Sequence, residues 1–248
     1  MLSPPNEQVR AGQIARDSIK LAMSLCRDDI DGLRLDKEIE QFIRDEGGKP
    51  ALKGYHPHFA DEPYKHTICL AVNQDVVHGI PHKPVLTTDL VTVDLVVEYD
   101  GWFADTARTF TTSGDTQRKQ FAHNSSAIFT SALDMVLPEQ SINLFGMMVE
   151  NAALMHGYGV IKEYCGHGIG QTIHSEPQVC NHPTIEKLTF QAGRSYAVEP
   201  LLSINPTYTL REYPKDGYSI NSNCLVSHNE DTLFVGSDRV INLTGNES

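Results

Sequence analysis

Apolar and small residues recur at helical spacing from Ala11 onward, with Ile14, Ala15, Ser18, Ala22, Leu25 and Cys26 on one stripe. The same style continues from Leu35 to Ile43 until Gly47-Gly48 interrupts it, so the chain opens with two predicted helices. Residues 49–65 are rich in Pro, Gly, His and Tyr and are expected to form a loop. Residues 67–72 and 90–98 then alternate or run apolar, as strands do. Helical stripes return at Phe121, Ile128, Phe129, Ala132, Leu133 and Val136, and again at Phe145, Met148, Val149 and Ala152, with Asp115 and Ser141 as the expected N-caps. From Tyr158 the chain is strand-like and loop-rich, with segments 196–199, 219–222 and 232–235 the clearest. The order of helix pair, strands, helix pair, strands predicts an α+β domain of two related halves around a shared sheet. No residue-level repeat accompanies it.

Composition narrows the function classes. At 248 residues with 40% hydrophobic content, the chain can bury a sizeable core, and a single domain spanning 1–248 is expected. Twenty basic residues against 32 acidic ones give a net charge of -12, which argues against broad electrostatic binding to nucleic acid or to an anionic membrane. Apolar runs are far shorter than the roughly 20 residues of a membrane span. The start lacks the pattern of a secretory or organellar leader, so a cytoplasmic protein is expected. Five scattered cysteines, Cys26, Cys69, Cys165, Cys180 and Cys224, contain no C-x-x-C pair and indicate reduced thiols, not a disulfide framework.

Candidate chemistry lies in the strands. Residues 91–110 read as a hairpin turning near Asp100-Gly101. If Tyr99 lies opposite Trp102, Asp94 faces Ala107, and Asp105 sits one diagonal step away on the same side. Two carboxylates among apolar strand residues repel each other unless a proton or a cation offsets them, and a divalent metal is one explanation. From the hairpin alone, a hydrogen-bonded Asp94 and a solvated Asp105 at the strand edge explain the pattern equally well. Downstream, His167 lies between Gly166 and Gly168, where backbone can approach a ligand closely. His174 follows seven residues later, which is not the i, i+4 zinc-pair spacing, so the two imidazoles are expected to have different tasks. Glu199 and Glu230 each fall in or beside a strand; taken singly, a loop histidine is more often a structural hydrogen-bonding group and such a glutamate more often solvated on a strand edge.

Taken in order, V-V-H-G-I-P at residues 76–81, V-D-L followed by A-D-T-A-R-T-F, E-Y-C-G-H-G-I-G with I-H-S-E-P, A-V-E-P and N-E-D-T resemble the motif series of type I methionine aminopeptidases over nearly the whole chain. The resemblance implies the pita-bread fold, with two pseudo-symmetric halves, a central antiparallel sheet and outer helices. It implies two divalent metal ions, Fe, Mn, Co or Zn, held by Asp94, Asp105, His167, Glu199 and Glu230, whose spacings are 11, 62, 32 and 31 residues. Four carboxylates and one imidazole form an oxygen-rich set that suits those ions. Glu199 would also take the proton of the attacking water. His174 would hydrogen-bond the scissile carbonyl oxygen, and His78 would contact the peptide nitrogen beyond it. Tyr55, Cys69, Ile173 and Tyr218 match positions lining the methionine pocket.

The implied activity is removal of the initiator methionine from nascent chains and peptides with a small second residue. The expected agent is a monomer with transient ribosome contact and no nucleic-acid or membrane partner. The rival readings are an Xaa-Pro dipeptidase or aminopeptidase P on the same fold, which usually carries an additional N-terminal domain, and a catalytically silent binding module, which should have lost ligands. Two departures from the family pattern stand out. Residues 55–65 are longer than the corresponding bacterial loop, and Tyr64 or Phe59 is a candidate replacement for a pocket aromatic. Near the last glutamate, His228 and Asp231 stand where the family commonly has Gln and His.

Overall fold

Four helices and a set of antiparallel strands form two layers in each half of the chain, in a computed structural model that describes residues 2–112, 114–212 and 217–245. The two ends of the expected 1–248 domain lie outside the described residues. The helices are α1 (Asn6–Leu25), α2 (Gly32–Asp45), α3 (Thr116–Leu133) and α4 (Ile142–Met155). The strands that carry the site are β1 (Cys69–Val72), β2 (Val91–Tyr99), β3 (Trp102–Phe110), β4 (Gly166–Ile169), β5 (Ser175–Val179), β6 (Arg194–Val198) and β7 (Asp231–Val235).

Alternation of side chains decides how these layers stack. Along β2, Val91, Val93, Leu95 and Val97 pack under α1 and α2 with Ile14, Ala15, Leu35, Ile39 and Ile43. The intervening Asp94 and Val96 therefore face the opposite side. The second half repeats the arrangement: Tyr196 and Val198 of β6 and Leu233 and Val235 of β7 pack under α3 and α4 with Phe121, Phe129, Phe145 and Val149. Glu199, one residue beyond Val198, falls on the other face. In each half the helices cover one sheet face and leave the acid-bearing face turned toward the middle.

The expected hairpin forms with the register read from the sequence: Tyr99 pairs with Trp102 and Asp94 with Ala107, while Asp105 sits opposite Val96. Its turn holds Asp100 and Gly101 at φ 47° and 82°, the two consecutive left-handed residues that a tight Asp-Gly hairpin requires. β1 pairs with the other edge of β2, setting Cys69 beside Asp94. Lys49–Pro50 also pairs there, against Glu98 and Val97, so the segment expected to be loop begins as a short strand. In the second half, β5, β4, β6 and β7 lie side by side and antiparallel. The two sheets meet at a single bridge between Ala107 and Glu230, so the central sheet is built from two pieces joined where acids from both halves converge. This is the pita-bread arrangement.

The helix caps and the cysteines follow the expectation with one departure. Asp115 caps α3 as expected, accepting from the Arg118 amide at 2.8 Å. Ser141 occupies the N-cap of α4 but makes no side-chain cap hydrogen bond; the Leu144 amide donates to the Ser141 main-chain carbonyl at 3.0 Å instead, and the Leu188 carbonyl takes the Ile142 amide at 2.9 Å. All five cysteines are free thiols, as the sequence indicated.

Gly166 carries a steric requirement on which the site depends. A Cβ there would lie 2.3 Å from the Ala197 carbonyl oxygen, in the ladder that pairs His167 with Ala197. Gly166→Ala is therefore expected to push β4 from β6 at a cost of about 2–3 kcal/mol. That corresponds to about 4–12 °C in Tm for a chain of this size. A thermal melt unchanged within 1–2 °C would show that the ladder gives way freely.

Candidate metal centre

A cleft of about 560 Å³ opens between the halves. Its walls bring together Asp94 and Asp105 from the hairpin, His167 from β4, His174, Glu199 and Glu230 from the second half, and His78 from the bend after the short strand Asp75–Val77. Tyr55, Cys69 and Tyr218 line it as well. Ile173 does not: its side chain is buried outside the cleft lining, while its chain neighbour His174 faces in. The long loop contributes His58, Phe59 and Tyr64, so both candidate aromatics reach the cleft. Phe59 stacks on His78 with ring centroids 5.3 Å apart, and Tyr64 packs edge-on to Tyr218 at 5.1 Å.

The centre of the cleft is acidic and buried. Ligand atoms of Asp105, His167 and Glu230 lie within 4.8 Å of one another. Asp105 Oδ1 and Glu230 Oε1 are buried without any hydrogen-bond partner, an expensive condition for carboxylate oxygens unless a cation satisfies them. His167 Nδ1 lies 3.0 Å from the Gly168 carbonyl, which can only accept, so Nδ1 carries a ring proton and Nε2 is the atom turned toward the acids. That Nε2 is 3.9 Å from both Asp105 Oδ2 and Glu199 Oε1. Orphaned oxygens, an imidazole nitrogen aimed among them and a hard, oxygen-rich donor set together fit a divalent cation.

Backbone contacts fix these acids in place. The Thr232 hydroxyl accepts from the Asp105 amide at 2.8 Å and donates to its carbonyl at 2.9 Å, tying β7 to β3 beside the carboxylate. The Glu230 amide donates to the Ala107 carbonyl at 2.9 Å, and the Glu230 carbonyl accepts from Thr106 Oγ1 and from the Arg108 guanidinium. Arg108 also pairs with buried Asp231 at 2.6 Å, and Asp231 accepts from Thr244 and Asn242. Asp231, unusual against the family pattern, thus anchors the strand that presents Glu230.

Protonation follows from the crowding. Burial, reinforced by the neighbouring carboxylates, holds Asp105 and Glu230 well above the usual carboxylate range. Burial also raises Asp94, to about 6. Burial keeps the Cys69 thiol protonated, with Asp94 pushing the same way. His78 is held down to about 4 by burial despite the pull of Glu199. His174 falls to about 4 through desolvation and the adjacent His167. Both imidazoles are neutral at pH 7.

One consequence concerns metal uptake. Because the folded-state pKa values of Asp94, Asp105 and Glu230 are raised, the metal-free protein holds protons that a cation must displace. Metal binding near pH 6.5 is expected to release about one proton or more per chain, and affinity should fall as pH drops through 6. Calorimetry in buffers of different ionisation enthalpy measures this; zero proton release would contradict the protonation of the acids.

The sequence reading gave His228 no task, yet it lines the cleft with its Nε2 3.4 Å from Glu199 Oε2. The available signal was its position two residues before Glu230, which in extended chain puts both on one side. Tyr164, Cys165 and Val96 also line the cleft and were not anticipated there.

Buried acids and imidazoles gathered between two helix-backed half-sheets define a class of protein suited to divalent cations. Comparison with known proteins names the group within that class. The chain belongs to metallopeptidase family M24, whose model matches residues 7–235. It is 28% identical over 247 residues to a methionine aminopeptidase of Aquifex aeolicus, covering 96% of this chain and 95% of that protein. Its fold matches the crystal structure of methionine aminopeptidase from Rickettsia prowazekii with a TM-score of 0.89 at 24% identity, covering 99% of this chain and 100% of the other. A prolidase from Pyrococcus furiosus shares the fold at TM-score 0.72 and 16% identity, covering all of this chain and 66% of that one. Among the described residues, no helix is long and apolar enough to cross a membrane.

Proposed function

We propose that the protein is a metal-dependent methionine aminopeptidase that removes N-terminal methionine ahead of a small second residue. The observation that carries this reading is the compact Asp105, His167 and Glu230 cluster, with orphaned oxygens, at the floor of a cleft that also holds His78 and His174. Asp94, Asp105, His167, Glu199 and Glu230 would hold two cations drawn from Fe, Mn, Co or Zn. Cations held there supply Lewis-acid charge for activating water and polarising a carbonyl.

The chain's own groups complete the reaction. Glu199, at the cleft edge with 13% of its side chain exposed, accepts the proton of the attacking water. The Tyr55 hydroxyl lies 3.0 Å from His174 Nδ1; donating there, it leaves the ring proton on Nε2 for the developing oxyanion. His78, neutral and desolvated, contacts the nitrogen of the departing amine. Tyr55, Cys69, Tyr64 and Tyr218 offer the methionine side chain an aromatic and thiol-lined wall. We further infer a single-domain monomer acting in the cytoplasm on nascent chains, with transient contact at the ribosome.

Cleavage of Met-Ala-Ser compared with Ala-Pro and Ala-Pro-Pro, with Mn(II) or Co(II) present, tests the substrate class. The account expects methionine release to exceed cleavage before proline by about 100-fold or more, a difference of about 3 kcal/mol between transition states. Preferential cleavage of the prolyl peptides would replace this reading with the Xaa-Pro one.

A further inference from the structure

We propose that His228 is a metal ligand in this chain, its Nε2 adding a second imidazole to the centre that His167 and the acids form; this rests on the cleft holding divalent cations. His228 is 3% exposed, and its Nε2 is buried with no hydrogen-bond partner. That atom lies 3.4 Å from Glu199 Oε2 and 3.6 Å from Glu230 Oε2. A charge-assisted N–H to carboxylate hydrogen bond is shorter, about 2.7–2.9 Å. Donors bound to one cation at about 2.0–2.2 Å stand about 3–3.5 Å apart. His167, the imidazole of the compact cluster, is 3.9 Å from its two carboxylates, so His228 approaches the acids more closely than His167 does.

The main chain of His228 is built into the hairpin that carries the aspartates. The Thr109 hydroxyl accepts from the His228 amide at 2.7 Å and donates to its carbonyl at 2.9 Å. Leu201 pairs with His228 on the other side, and the intervening Asn229 turns away to accept from the Thr109 amide. Backbone ties on both sides therefore hold the imidazole at the cleft. A glutamine at this place would offer only an amide, a much weaker metal donor than imidazole. A second imidazole moves the donor set away from ions that prefer oxygen alone and toward Co(II) and Zn(II) over Mn(II).

Cobalt-edge X-ray absorption on the cobalt-loaded full chain, wild type and His228→Gln, counts imidazoles directly. The expected wild-type count is two imidazoles per chain, and the number per bound cobalt halves in the variant at equal metal loading. Titration should show Co(II) and Zn(II) affinity weakened by about 10–100-fold in His228→Gln, with Mn(II) affinity changed by less than about threefold. One imidazole per chain in the wild type, or an unchanged count in a folded variant, overturns the proposal. If His228→Gln does not fold, the wild-type count decides alone. Wild-type protein that binds cobalt and releases methionine with only one imidazole sinks this inference and leaves the peptidase reading standing. Wild-type protein that binds no cation sinks both.

Discussion

Asp105→Ala and His167→Ala are expected to abolish methionine release at any metal concentration, with kcat/KM falling by 10³-fold or more, on the order of 4 kcal/mol or above. Asp105 and His167 belong to the same compact cluster as Glu230, and each has a donor atom aimed at the shared space. Removing either takes away one face of that space and, with it, the hold on the cation that would offset the remaining buried acids. Excess metal cannot restore a ligand atom, so the loss should persist across a titration. The check is kcat/KM on Met-Ala-Ser from micromolar to millimolar Mn(II) and Co(II), with a metal count on each variant. Recovery of wild-type rates at high metal would mean that the residue only tunes affinity. The backbone of Asp105 is held by Thr232 independently of its carboxylate, so the fold should survive Asp105→Ala.

His174→Ala is expected to lower kcat by about 10²–10³-fold while leaving KM within about threefold. A group that meets the oxyanion only as it forms contributes to the transition state and little to ground-state binding. The His174 ring sits 4.5 Å from the His167 ring and is steered by the Tyr55 hydroxyl at Nδ1, so it stands beside the candidate centre without belonging to its compact triad. Metal content of the variant should equal that of wild type, which separates this role from ligation. A variant that keeps kcat and raises KM tenfold would move His174 from transition-state stabilisation to substrate binding.

The sequence revealed most where a two-residue period crosses a chemical surprise. In β2, valines and leucine mark one face as core, so Asp94 had to lie on the other, and the Asp100-Gly101 turn set its partner across the hairpin. The helix pairs were legible for a similar reason, since their apolar stripes are long. Short strands were harder to see. β4 is four residues of glycine, histidine and isoleucine with little side-chain pattern, and its pairing to β5 and β6 depends on neighbours remote in sequence. Ser141 takes the expected N-cap place, but the Leu144 amide that its hydroxyl would have met goes to its own carbonyl, a choice that residue type does not reveal.

At the site, residue types gave the candidate chemistry, but the geometry came from contacts that cross the halves. The single bridge of Ala107 to Glu230 joins the sheets, and no local pattern in either segment announces it. The same limit hid His228, whose approach to Glu199 and Glu230 depends on Thr109 holding its backbone. Conversely, Ile173 was placed in the pocket from its motif, and the structure buries it outside the cleft lining.

Metal reconstitution tests the central claim most directly. The protein is stripped of metal by exhaustive chelation and dialysis, then assayed on Met-Ala-Ser before and after Mn(II) or Co(II) is returned. The account predicts no methionine release from the stripped protein and recovery that saturates with added cation. Full release of methionine by protein verified to be free of metal would contradict it.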